Sequence, residues 1–245
     1  MQKKAIIIGA TGLVGAKLVD QLIALYQTVI VIARTPPKKM TPTTHFYQLA
    51  NFDHLSELFA SLNVDGNTDA FSCLGTTKKQ AGSRDAFWAI DYDINLTFAK
   101  LCQQKGVAQF FLLSSMGADK DSRFFYNKVK GELEDAIKQL GFECVYVFRP
   151  ALLLGKHKGR PLEAVSQGLF KMVSPLVPQN LAVRPISAGR VAAAMAITAH
   201  QSHQRLSKHR HQNQNGNGGN GNNAQTNGSI TVINNQQMLM MTHLN

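Results

Sequence analysis

The stretch AIIIGATGLVG, Ala5 to Gly15, decides the fold. Ile6, Ile7 and Ile8 form a short apolar run that ends in glycines spaced three apart, Gly9, Gly12 and Gly15. Leu13, Val14, Leu18, Val19, Leu22 and Ile23 then recur at helical spacing. A buried strand that turns sharply into a helix aims free backbone N–H groups and the positive end of the helix dipole at one spot, which suits a phosphate anion. Glycine is required where the turn is tight, where a pyrophosphate touches backbone and where the helix packs on the strand. The segment reads as the opening βα unit of a dinucleotide site.

Working outward, strand and helix patterns alternate. Thr28 to Ala33 reads as a second strand, His45 to Ala50 as a third, and His54 to Leu62 as a helix. Asp69 to Cys73 is a fourth strand, followed by a long helix from about Asp85 to Lys105. Phe110 to Ser115 is a fifth strand, Tyr126 to Leu140 a helix, and Cys144 to Pro150 a sixth strand. Such alternation predicts an α/β fold, a doubly wound parallel sheet of the Rossmann type, with strand C-terminal ends on one ligand-binding rim.

Beyond Pro150 glycine and proline become frequent. Residues 151–190 are expected to form a small substrate lobe with a helical stretch near Leu162 to Val173, all within a single domain that begins at residue 1 and runs to 200. Val191 to Ala199 reads as a helix. Residues 201–228 are Gln, Asn, His and Gly with few apolar side chains, and the expectation there is a disordered insertion. In the run His200 to Gln212 the histidines at 200, 203, 209 and 211 lack a rigid frame or an acidic partner, so no metal site is predicted. Order is expected to return at 229–245, with a closing strand from Ser229 to Ile233 and a helix from Gln236 to Leu244.

A chain of 245 residues with 44% hydrophobic content suits one globular domain. No run approaches the ~18 apolar residues of a membrane span, and no secretory signal is read at the N-terminus. Cys73, Cys102 and Cys144 are odd in number and lack a CxxC spacing, which fits a reducing compartment and a cytoplasmic location. The net charge of +11 is partly in a tail without Asp or Glu (Arg205, Lys208, Arg210) and partly at Lys38 and Lys39. That placement fits anionic small ligands, and no nucleic-acid recognition motif accompanies it.

Four segments carry chemistry. Arg34 directly follows the second strand, where an acid would grip a ribose 2′-hydroxyl; an arginine instead accommodates a 2′-phosphate, so NADP(H) is expected over NAD(H). The fourth strand runs into SCLGTT, Ser72 to Thr77, whose small residues let backbone approach a cofactor ribose; Cys73 reads there as a small buried hydrophobe. The fifth strand ends at Ser114 and Ser115. Tyr126 and Lys130 follow at i and i+4 on one helical face. A phenol is a poor acid at neutral pH, and an adjacent ammonium favours its phenolate. A serine hydroxyl can hold a substrate carbonyl while the tyrosine donates a proton and hydride arrives from a nicotinamide.

SCLGTTKKQAG (Ser72 to Gly82), DYDINL (Asp91 to Leu96), LLSSMGADKDSRFFYNKVKGELE (Leu112 to Glu134) and FRPALLLG (Phe148 to Gly155) carry a resemblance. So do GRPLE from Gly159 and the closing ITVINNQQM. The chain resembles atypical short-chain dehydrogenase/reductases, and among them the Tat-interacting-protein-like oxidoreductases, over about residues 3–200 and again from 229. The resemblance implies an NADP-binding fold with Gly9, Thr11, Gly12, Leu13 and Val14, beside Gly15, around the pyrophosphate, and Arg34 on the 2′-phosphate. It implies Leu74 and Gly75 near the ribose, Ala151, Leu152 and Leu153 near the nicotinamide, and Arg160 in a segment closing over the site. Tyr126 and Lys130 fall on the catalytic pair, and Ser115 or Ser114 on the serine. Relatives often carry Asp for the adenine where this chain has Asn51, whose amide can still bond it. The Asn/Gln/His insertion is no feature of the family.

The expected activity is hydride transfer between NADP(H) and a small carbonyl or alcohol substrate. The alternative is a non-catalytic NADPH sensor acting through a protein partner, since atypical members often bind cofactor without a settled substrate. Apolar helix faces serve a core or a dimer equally, so oligomeric state is not read.

Overall fold

A computed structural model of the chain describes residues 3–154, 183–215 and 228–243, the side chains of 206–215 excepted. β1 (Lys4–Ile8) leads through the glycine turn into α1 (Gly15–Leu25), then β2 (Thr28–Ala33) and β3 (Thr44–Gln48). A single 3₁₀ turn and α2 (Leu55–Ser61) precede β4 (Thr68–Ser72). Next come α3 (Lys78–Ala81), α4 (Arg84–Trp88), a π turn at Ala89–Asp93 and α5 (Ile94–Gln104). β5 (Gln109–Leu113), α6 (Phe125–Lys138) and β6 (Cys144–Arg149) follow. β7 (Leu153–Leu154) pairs with β8 (Ile186–Ser187) before α7 (Ala188–Asn215), β9 (Ser229–Asn234) and α8 (Asn235–Met241).

The main sheet has seven strands in the order β3-β2-β1-β4-β5-β6-β9, every neighbouring pair parallel. Crossovers of one hand put helices on both faces, which is why β1, β2 and β4 are buried along nearly their whole length. One face is Ile7, Phe71, Phe111, Tyr146 and Phe148 against Leu18, Val19 and Leu22 of α1, and Val191, Met195 and Ala199 of α7. Phe71, Phe111 and Tyr146 stand in register on β4, β5 and β6, and their rings stack at 4.6 and 5.0 Å. The other face is Ile6, Ile8, Ile30, Phe110 and Val147 against Phe59 of α2, Phe98 and Cys102 of α5, and Leu133 and Ile137 of α6.

Two expectations need correction. The helix predicted from Asp85 to Lys105 runs without a break from Arg84 to Gln104 but is not regular throughout, because a π turn widens it at Ala89–Asp93. The helix predicted to stop at Ala199 runs on to Asn215, so residues 201–215 are helical rather than a disordered linker. The cause is a polar underside. Ser202 is buried, donates to Gln109 Oε1 and lies 2.8 Å from the Tyr146 hydroxyl. His203 meets the buried Asp69 carboxylate, which also accepts from the Tyr26 hydroxyl at 2.7 Å. His203 therefore has an acidic partner after all. Residues 216–227 lie outside the described residues, as do the stretch from Leu162 to Val173 and Arg160. No helix among the described residues is long and apolar enough to cross a membrane.

Candidate functional site

Parallel register sets the C-terminal ends of the strands on one rim: Ile8 stands opposite Ile32 and Ser72, and Leu113 opposite Phe148. A cleft of about 360 Å³ opens there, walled by the glycine turn, the loop after β4, the end of β5, α6 and the segment after β6.

The three glycines divide their work. Gly9 has φ +73°, and a Cβ on it would lie 2.3 Å from backbone of Cys73 and Leu74. A Cβ on Gly15 would lie 2.1 Å from the Gly9 carbonyl oxygen, so α1 can pack on β1 only without it. Gly12, with Leu13 and Val14, lines the cleft itself. Thr11 is exposed on the same turn. Arg34 is exposed one residue past β2, on the rim beside the turn. Asn51 is used locally: its side chain accepts from the Asp53 amide at 3.1 Å and donates to the Asp53 carboxylate at 2.6 Å.

Leu74 and Gly75 line the cleft beside Cys73, where burial pushes the thiol up to about 12 and keeps it an inert small side chain. At the end of β5 the two serines differ sharply. Ser114 donates to Glu134, which is paired with Arg149 at 2.5 Å, so its hydroxyl is engaged in a half-buried chain. The Ser115 hydroxyl is buried, lines the cleft and has no hydrogen-bond partner among the described residues.

Tyr126 and Lys130 stand one turn apart on α6 and both line the cleft. The Tyr126 ring rests against Phe87 at 5.7 Å. Lys130 is 5% exposed, and its Nζ lies 2.8 Å from Asp91 Oδ1. Burial alone would pull its pKa down; Asp91 first, then Tyr126 and Glu134, reverse that and hold it above the ordinary lysine value. Ala151, Leu152 and Leu153 close the cleft on the far side. The Ala151 amide donates to Asn235 Oδ1 at 3.0 Å, and Asn235 Nδ2 donates to the Arg184 carbonyl at 2.8 Å. The C-terminal segment thus positions one wall.

Sequence reasoning missed Asp91, Asn95 and Asn235. Asp91 carries a readable signal only in hindsight: an acid at i and Asn95 at i+4, in a helix that faces the strand ends. Of the expected site residues, Gly12, Leu13, Val14, Leu74, Gly75, Ser114, Ser115, Tyr126, Lys130 and Ala151 to Leu153 line the cleft, whereas Gly9, Thr11, Gly15, Arg34 and Asn51 do not.

Fold and cleft together define a Rossmann-type nucleotide-binding protein. The family model "NAD dependent epimerase/dehydratase family" matches residues 5–160, and the chain belongs to that family. It is similar to Protein HTATIP2 of Rattus norvegicus, 36% identical over 179 residues, covering 69% of this chain and 72% of that protein. It is also similar to the mitochondrial protein fmp52 of Emericella nidulans, 36% identical over 169 residues, covering 66% and 72%. Among solved structures, UDP-glucose 4-epimerase of Thermotoga maritima with UDP-glucose superposes with a TM-score of 0.59 at 16% identity, covering 80% of this chain and 72% of that one. The Bordetella bronchiseptica enzyme WbmH in complex with NAD+ gives 0.60 at 15% identity, covering 79% and 71%. These likenesses show the shared fold.

Proposed function

We propose that the chain is an NADP(H)-dependent oxidoreductase acting on a small carbonyl or alcohol. The observation that carries this reading is the Ser115 hydroxyl, buried and without a partner among the described residues in the cleft that Tyr126 and Lys130 also line. Leaving a buried hydroxyl unbonded costs about 1–3 kcal/mol, which a substrate oxygen would recover. The glycine cradle fits the cofactor: Gly12 presents backbone and no side chain to the cleft. Gly9, Thr11, Gly12, Leu13 and Val14 would hold the pyrophosphate, Leu74 and Gly75 the ribose, Ala151 to Leu153 the nicotinamide side and Arg160 the outer cover. Arg34 favours a 2′-phosphate, and Asn51 would sit at the adenine. When bound, the cofactor supplies or accepts the hydride.

In the reducing direction Ser115 donates a hydrogen bond to the carbonyl oxygen and polarises it. Tyr126 passes its phenolic proton to that oxygen as negative charge develops there. Lys130 stabilises the phenolate left behind and holds the ribose hydroxyls. Oxidation of an alcohol runs the same proton path backwards. Cytoplasmic action is the accompanying expectation from the sequence, to be tested by fractionation against the mitochondrial names of its fungal relatives.

The test is titration with NADPH and NADH, read by quenching of Trp88, then a screen of aldehydes and ketones with Tyr126→Phe as control. NADPH is expected to bind tighter than NADH, and Arg34→Ala to lose about 10- to 100-fold for NADPH alone, the worth of a charge-assisted bond. Binding of neither cofactor would overturn the reading.

A further inference from the structure

The carboxylate of Asp91 is fully buried and joins three elements. From the π turn at Ala89–Asp93 its Oδ1 reaches Lys130 Nζ on α6 at 2.8 Å. Its Oδ2 accepts from the Thr76 backbone amide at 2.7 Å, in the loop after β4. Gly75 lets that loop lie close: a Cβ there would come 3.1 Å from Asp91 Oδ1 and 3.5 Å from Lys130 Nζ. A π turn widens the helix and leaves carbonyls in need of donors. Asn95, itself buried, supplies them. Its Nδ2 donates to the carbonyls of Ile90 at 3.0 Å and Asp91 at 3.2 Å, while its Oδ1 accepts from Ser72 at the end of β4. The widened turn is thereby tied to the strand rim, with Asp91 aimed at the lysine.

We infer that Asp91 is a positioning residue for the Tyr126/Lys130 pair, holding the lysine in place and balancing its charge while anchoring the cleft loop through Thr76. The inference rests on the oxidoreductase reading of that pair. An uncompensated ammonium at this depth would be strongly disfavoured. Among the described residues the other ionisable groups acting on it are Tyr126 and Glu134 on its own helix, the latter already paired with Arg149 of β6, while Cys73, which lines the same cleft, is a neutral thiol. Asp91 is therefore the anion that holds the lysine charged.

Removing a neighbouring negative charge lowers the proton affinity of the pair as a unit, whichever member releases its proton first. Asp91→Asn keeps the shape and removes the charge. Its first proton loss from the pair is expected at least about one pH unit lower than in the wild type. This is read by NMR on protein carrying ε-¹³C-lysine and ζ-¹³C-tyrosine, with Lys130→Met and Tyr126→Phe assigning the signals, so the readout needs no turnover. The alkaline limb of kcat against pH moves the same way where a substrate is in hand, and Asp91→Glu restores it at least in part. Superimposable titrations of wild type and Asp91→Asn, with only thermal stability changed, would overturn the inference. Should Asp91→Asn not fold, the wild type decides: Lys130 must keep its proton beyond the pH at which surface lysines lose theirs, and earlier loss overturns the inference. Absence of turnover would sink the oxidoreductase reading and leave this titration standing.

Discussion

Ser114 and Ser115 are adjacent and chemically identical, yet their surroundings assign them different work. Ser114 donates to Glu134, so Ser114→Ala removes one donor from a half-buried carboxylate that keeps Arg149, and it is expected to cost about 0.5–1.5 kcal/mol of stability with little change in kcat. Ser115 has no such partner to lose. Ser115→Ala should melt within a degree or two of wild type while turnover falls about 10²- to 10³-fold, the usual loss for one donor on a developing oxyanion. Thermal melts alongside steady-state kinetics separate the two. Equal losses of turnover would mean that the hydroxyl in the cleft is not the one that polarises substrate.

At the scale of the element, the strand-turn-helix opening allots each glycine one demand. Gly15→Ala forces a Cβ against the Gly9 carbonyl, where only backbone can yield, so about 1–3 kcal/mol or more of stability should be lost as in other overpacked sites. A Cβ on Gly12 would lie 3.2 Å from the Gly9 carbonyl oxygen and 3.9 Å from that of Cys73, contacts a shift of a few tenths of an ångström relieves. Gly12→Ala should therefore fold and lose cofactor affinity instead, by tenfold or more, because the residue lines the cleft. Chemical denaturation and NADPH titration of the two variants make the comparison. Both variants behaving alike would remove the distinction between a packing glycine and a binding one.

The whole molecule shows what local pattern conveys and what it does not. The order of β1 to β6, the glycine turn and the facing of Tyr126 and Lys130 into one cleft were legible, because each is written in periodicity or spacing within one element. Asp91 was not, since its aim depends on a π turn inside what reads as one continuous helix, and on Asn95 binding that turn to β4. The continuation of α7 past Ala199 was hidden for a different reason. Its buried side is polar, with Ser202 and His203 meeting Gln109, Asp69, Tyr26 and Tyr146, and such a face leaves no hydrophobic period to detect. Asn235 was likewise invisible, because only closure of the sheet by β9 brings it beneath Ala151.

That polar seam lies at the end of the sheet away from the cleft and joins α1, β4 and α7 through Tyr26, Asp69 and His203, so it belongs to the stability of the whole fold. Burial first, then the charge of Asp69 and the hydrogen bond to it, push the Tyr26 phenol well above its ordinary value near 10. A group whose folded pKa lies above its unfolded one stabilises fully below the unfolded pKa, and that contribution is lost as pH climbs through the folded pKa. Stability from Tyr26 should hold level through neutral pH and decline from about pH 10 upward. Tyr26→Phe removes the ionisation and one donor to Asp69. It is expected to lower the melting temperature at pH 7 by about 2–4 °C, for a loss near 1 kcal/mol, and to flatten the alkaline decline. Tyr146, also raised by burial, titrates in both proteins, so the difference between the two slopes isolates Tyr26. Parallel slopes would show that the seam opens before Tyr26 ionises.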